Sequence, residues 1–319
     1  MQLIDQQLAA LQTLDVAPTR RDDFDAFWAE TMDRVRRVPL NVAGGPVEYP
    51  IRCLEVRDLT FEGLDGTPIH TWLILPPEAK RGKVPVVVCF HGAGGNRGTP
   101  AAFTQWTSMG LAVLSHDFRM QSGLTGSKTG FTGSSTPGWF NLGILGKRTC
   151  YFYHTWTDAL RTVELALATP EIDADRICVN GGSQGGGAAL AVAALHPAVA
   201  LCMADVPSNC WLEKRAFDRA GGMAAAAEFL LRHPDQLDAV CETLSYYDNL
   251  NLAERIRCPV LVSVGLKDPT CPPENCYAAV NKITADKQIA AYPFGDHSGG
   301  GMVHNDLKLA FVRRHLLEG

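Results

Sequence analysis

The chain has 319 residues, 46% of them hydrophobic, with a formal net charge of −5 and a pI near 6.0. That is ample for a substantial core, in one large α/β domain or two smaller ones. The acidic balance, with basic residues scattered apart from pairs such as Arg36-Arg37 and Arg313-Arg314, argues against a nucleic-acid partner. No run approaches the roughly 20 apolar residues a membrane span needs, so no membrane partner is expected.

The opening Met1-Gln2-Leu3-Ile4-Asp5 lacks a basic segment followed by an apolar one. The ten cysteines lie far apart, several within apolar strands (Cys89, Cys178, Cys258), and form no C-x-x-C pair. Both features lead to the expectation of a cytoplasmic protein with reduced core cysteines.

Taken in chain order, Phe24, Phe27, Trp28, Met32 and Val35 fall at helical spacing behind Asp22, Asp23 and Asp25, acids that suit a helix N-terminus. This predicts an amphipathic helix over 20–37 that packs on the main body, within an N-terminal helical extension spanning 1–48. Residues 50–76 alternate around Gly63-Leu64-Asp65-Gly66-Thr67-Pro68 and read as an antiparallel hairpin. From Pro85 onward the strands become short and continuously apolar: Val86 to Phe90, Leu111 to Ser115, Ile177 to Val179, Val199 to Ala204, Val260 to Val264 and Ile289 to Phe294. Strands buried on both faces imply a parallel sheet flanked by helices, expected here at 154–168, 184–195, 273–284 and 303–317. His196-Pro197 ends the second of these. Residues 120–150, rich in Gly, Ser and Thr and holding Trp139 and Phe140, are expected to form an ordered excursion near the active edge.

Gly181-Gly182-Ser183-Gln184-Gly185 contains G-x-S-x-G, in which a strand turns sharply into a helix and thrusts the serine hydroxyl out at the sheet's carboxyl edge. Glycines are expected around Ser183 because side chains there would collide. A serine hydroxyl is a weak nucleophile, so it requires a neighbouring base and an acid to orient that base. Downstream, one strand runs into Gly265-Leu266-Lys267-Asp268 and the next into Gly295-Asp296-His297. Ser183, Asp268 and His297 therefore stand in the order and at the strand ends of a triad on the α/β-hydrolase fold. The rival acid is Asp205, ending the strand before Val206-Pro207, and the rival base is His304. Asp296 is expected to point elsewhere. His196 and His233 sit before prolines at helix ends, and His70, His154 and His315 fall in ordinary strand or helix contexts.

Gln184, following the nucleophile, offers one backbone N–H to an oxyanion. Ala93, in Phe90-His91-Gly92-Ala93-Gly94-Gly95, offers the second, with His91 bracing that loop. Neither H-E-x-x-H nor clustered Cys and His at ligand spacing is present, and the glycines at 181–187 lack the lysine of a phosphate loop, so no metal and no cofactor are expected.

The Asp23-Phe24-Asp25-Ala26-Phe27-Trp28 helix, the Phe90-His91-Gly92 loop, Tyr151-Phe152-Tyr153 ahead of Asp158-Ala159, and Asp173-Ala174-Asp175-Arg176-Ile177 leading into G-G-S-Q-G-G together resemble carbohydrate esterase family seven, the acetyl xylan esterases and cephalosporin C deacetylases. The resemblance covers nearly the whole chain. It implies hydrolysis of acetyl esters on short xylo-oligosaccharides and of the acetyl group of cephalosporin C. It also implies an intracellular homo-oligomer, a hexamer with active sites facing an internal cavity. Two positions depart from the family's signatures: Arg119-Met120-Gln121 fills a glycine position, and His297-Ser298 replaces a glutamate beside the base.

The chain is thus read as a single α/β-hydrolase domain, 1–319, and as a serine esterase acting on a small-molecule or oligosaccharide ester. The alternatives are a peptidase or thioesterase on the same fold, or a binding protein that has kept it. A propeller-sized gating domain does not fit in this length.

Overall fold

The computed structural model describes residues 2–131 and 138–318. Among the described residues nine strands form one sheet in the order β1-β2-β3-β5-β4-β6-β7-β8-β9: β1 Ala43–Val47, β2 Glu55–Glu62, β3 Pro68–Leu75, β4 Val84–Phe90, β5 Ala112–His116, β6 Ile172–Gly182, β7 Val199–Asp205, β8 Val260–Gly265 and β9 Lys287–Tyr292. The first three run antiparallel, with Glu62 opposite Pro68 across the predicted turn. β5 is antiparallel to β3, and from β5 to β9 every pairing is parallel.

The residues explain this division. Every residue of β4, β5 and β8 is buried, as befits strands covered on both faces, whereas β2 alternates buried and half-buried positions. β6 begins at Ile172, earlier than its apolar run suggests. Ile172 pairs with Val84 through a register shift, and the intervening polar residues stay near the surface, where Arg176 Nε donates to Asp173 at 2.7 Å.

Two expectations are corrected. The stretch 1–48 is not wholly helical: it holds helices Gln2–Gln12 and Phe24–Arg37, but also β1. That strand has little propensity of its own and forms by pairing with β2, where a Cβ on Gly44 would stand 2.1 Å from the Asp58 carbonyl oxygen. The final helix ends at Val312 and continues as a π-helical turn, Arg313–Leu317. The remaining helices fall close to the prediction, at Tyr151–Ala168, Gln184–Leu195 and Pro273–Val280.

Helix Phe24–Arg37 lies on the main body. Phe27 packs against Tyr153 and Tyr246, Trp28 stacks on Trp156, and Trp28 Nε1 donates to the Tyr246 carbonyl at 3.1 Å. Between β7 and β8 the chain builds a helical wall, Leu212–Phe217, Ala224–Arg232, Leu237–Ser245 and Asn249–Leu252. All ten cysteines are free, and all but Cys53 and Cys241 are buried. Among the described residues no helix is long and apolar enough to cross a membrane.

Candidate active site

Ser183 joins β6 to helix Gln184–Leu195 with φ 56° and ψ −117°, a region side-chain-bearing residues rarely occupy. The turn closes because the helix start lies directly on the sheet. A Cβ on Gly185 would stand 2.0 Å from the Phe90 carbonyl oxygen, and one on Gly181 would stand 2.4 Å from the Gly185 carbonyl carbon. Gly182 is different: a Cβ there meets nothing nearer than 3.9 Å, so the expected collision holds for the other glycines around the serine, Gly186 and Gly187 included, but not for Gly182.

The three loops named from the sequence converge. His297 Nε2 lies 2.9 Å from Ser183 Oγ, and Nδ1 lies 2.7 Å from Asp268 Oδ2. With Nδ1–H donated to the carboxylate, Nε2 is left to accept the serine proton. Asp268 is buried, and its Oδ1 accepts the N–H groups of Thr270 (2.8 Å) and Cys271 (2.9 Å), so the acid's orientation is held by its own loop. Asp296 points away as expected, accepting the Ser298 N–H at 2.9 Å.

The rival acid and base find each other instead. His304 Nε2 pairs with Asp205 Oδ1 at 3.0 Å, Lys308 Nζ donates to Asp205 Oδ2 at 2.7 Å, and Tyr292 Oη lies 3.0 Å from His304 Nδ1. Burial pushes the Asp205 carboxyl up, but the His304 hydrogen bond and the Lys308 charge hold it below the ordinary value. Through its backbone, Asp205 also accepts the Ser183 N–H at 2.9 Å.

Around the serine lies a cavity of about 50 Å³ whose walls include Ala93, Gln184, Phe140, Arg215, Met223 and Thr270. In the Ala93 loop the next two N–H groups are engaged, Gly94 by Gln121 Oε1 at 2.7 Å and Gly95 by the Gly92 carbonyl at 3.0 Å. His91 braces this loop: Nε2 accepts the Phe118 N–H at 2.9 Å, which leaves Nδ1–H to donate to the Gly92 carbonyl at 2.8 Å. Desolvation holds His91 below its ordinary pKa.

Arg119 and Gln121 explain why their signature sits beside the site. The Arg119 guanidinium, fully buried, forms a bidentate pair with Asp158 (2.8 and 2.9 Å) and reaches Asp65 at 2.9 Å. Gln121 Nε2 then donates to Tyr151 Oη at 2.8 Å and to Gln184 Oε1 at 3.0 Å. Gln121 therefore ties the Ala93 loop to Gln184, the residue after Ser183. Between them Met120 sits at φ 60°, a backbone conformation that favours glycine.

Sequence reasoning missed Arg215, Gly222 and Met223, which reach the cavity from the helical wall between β7 and β8. The available signal was positional: residues after a parallel strand's carboxyl end face the site. Residues 132–137 of the 120–150 excursion lie outside the described residues. On either side of them, Gln121 and Phe140 reach the active edge.

A mostly parallel sheet with a strained serine at a strand-to-helix turn, bonded in line to histidine and aspartate, defines an α/β-hydrolase. Its particular branch follows from comparison with known proteins. The acetyl xylan esterase (AXE1) family model matches residues 1–315, and the chain belongs to that family, whose members are carboxylic ester hydrolases. It is similar to acetyl esterase Axe7A of Xylanibacter ruminicola, with 30% identity over 285 residues; the match covers 86% of this chain and 63% of the relative, so the chain spans less than two thirds of that curated protein's length. Among solved structures, the acetyl xylan esterase from Paenibacillus sp. R4 superposes with a TM-score of 0.92 at 35% identity, covering 97% of this chain and 99% of the other. Acetyl xylan esterase 1 from Thermoanaerobacterium sp. JW/SL YS485 gives 0.87 at 30%, covering 95% and 98%. A Pyrococcus horikoshii acylaminoacyl peptidase, at 18% identity and a TM-score of 0.63, shares the fold alone; the match covers 84% of this chain and 42% of that one.

Proposed function

We propose that this protein is a serine esterase that deacetylates short acetylated xylo-oligosaccharides and small esters of the cephalosporin C type. The observation that carries this reading is the unbroken line Ser183 Oγ, His297, Asp268, at 2.9 and 2.7 Å. His297 takes the proton from Ser183, which attacks the acetyl carbonyl, while Asp268 stabilises the imidazolium. The amides of Ala93 and Gln184 hold the oxyanion. His297 then protonates the departing alcohol, and water activated by the same imidazole releases acetate from the acyl-enzyme. The small cavity of about 50 Å³, lined in part by Phe140 and Met223, supports a short acyl group. The single nine-stranded sheet supports one domain, and the free cysteines are consistent with a reducing cytoplasm. A homo-oligomer, by likeness to the family a hexamer, completes the reading.

The test is turnover of p-nitrophenyl acetate by wild type and Ser183→Ala. We expect a loss of at least about a thousandfold with folding intact. Unchanged turnover would overturn the mechanism. A preference for octanoyl esters, thioesters or peptide amides over acetyl esters would overturn deacetylation.

A further inference from the structure

Cys271 is a thiol beside the triad that the mechanism does not use. It follows Asp268 by three residues, is 1% exposed, and shares a cluster with the acid and the base. One donor atom from each of Asp268, Cys271 and His297 lies within 4.8 Å of the other two. A carboxylate, a thiol and an imidazole are the ligand types of zinc sites. Zinc–ligand bonds of roughly 2.0–2.3 Å place tetrahedral donors about 3.5 Å apart, so the three donors close in on the ion from the 4.8 Å within which they lie. His297, with a side chain 34% exposed, gives solvent access to the cluster.

We propose that Asp268, Cys271 and His297 form an inhibitory site for a thiophilic divalent cation, zinc being the fitting ion. The inference rests on the esterase reading, since its consequence is loss of that activity. Binding exchanges a proton for the metal: the thiol S–H bond breaks, a sulfur–zinc bond forms, and the proton leaves to solvent. Without metal the thiol is neutral, because burial pushes it up to about 11, so the cluster carries no standing thiolate. Either ring nitrogen stops the reaction when metal-bound. Through Nε2 the imidazole no longer accepts the serine proton, and through Nδ1 it loses the hydrogen bond to Asp268. Magnesium, which selects oxygen donors in octahedral geometry, does not fit this donor set.

The linear pattern hides the site. Asp268 and Cys271 come from one loop and His297 from the next, with no spacing that a metal motif would flag.

The experiment titrates zinc, with magnesium as control, into the full-length protein while following acetate release, each protein normalised to its own metal-free rate. Wild type is expected to lose activity reversibly, recovering on chelation, and Cys271→Ala to require at least about tenfold more zinc for half-inhibition. Cobalt(II) supplies a readout independent of catalysis: a thiolate-to-cobalt charge-transfer band in wild type that is lost in Cys271→Ser. Equal zinc sensitivity in the two proteins, or a cobalt spectrum unchanged by Cys271→Ser, would overturn the proposal. A protein with no esterase activity at all that still gives the Cys271-dependent cobalt band would retain the metal site and refute the esterase reading instead.

Discussion

Two aspartate–histidine pairs stand at neighbouring strand ends of this sheet, and they have opposite fates. Asp268 and His297 face Ser183, with the imidazole partly in solvent. Asp205 and His304 are tied to Lys308 and Tyr292, with His304 2% exposed. The chemistry of the two pairs is alike, so composition does not separate them. Surroundings do: a base must reach both a nucleophile and substrate, whereas a histidine closed in by a lysine, a tyrosine and its own carboxylate can only hold structure. The second pair fastens helix Gly301–Val312 to the end of β7, directly behind the His297 loop. That loop is also pinned by close approach, since a Cβ on Gly300 would stand 2.2 Å from the Tyr292 ring.

The sharpest way to break this comparison is to neutralise each acid in turn. Asp268→Asn is expected to lower kcat for acetyl ester hydrolysis by about 10⁴-fold, because the wrong tautomer of His297 then faces Ser183. Asp205→Asn should lower kcat by less than about tenfold; equal losses would mean that the two pairs act together. In denaturant unfolding the order reverses. Asp205→Asn leaves the Lys308 ammonium, 9% exposed on its side chain, without its carboxylate, for an expected loss of about 3 kcal/mol.

Acid should separate structure from site further. Burial holds His116 down to about 3 and His154 to about 4, so the unfolded chain binds more protons than the folded one below about 6.5. Their stability contribution is complete above 6.5 and is lost as the pH falls toward those values. Asp248, which burial pushes up to about 6, works in the opposite sense between 3.8 and 6. His91, also held down by desolvation, adds to these two histidines, so stability should fall as the pH drops from 6 to 4. A flat stability profile over that range would show that the two histidines are not held neutral. The smallest effect belongs to Met120→Gly. Relief of the left-handed backbone is offset by the flexibility of glycine, leaving a gain of less than about 1 kcal/mol. A loss would mean that the half-exposed Met120 side chain makes contacts worth more than the strain.

Much of the parallel half was legible in the sequence, because strands buried on both faces are written as unbroken apolar runs. The convergence of Ser183, Asp268 and His297 was legible too, since chain order and strand ends constrain where such loops fall. β1 was not, because Ala43-Gly44-Gly45-Pro46-Val47 has no strand pattern and pairs only once β2 exists. Nor was the helical wall between β7 and β8 seen as part of the cavity, because Arg215, Gly222 and Met223 carry no motif.

By itself, then, the sequence determined which residue types stand at the carboxyl edge and in what order, through local signals that need no distant partner. Only the tertiary structure decided which histidine meets the serine, which aspartate becomes a clamp, and that Cys271 joins Asp268 and His297. Those outcomes depend on distances between loops far apart along the chain, set by strand order and packing rather than by spacing in sequence.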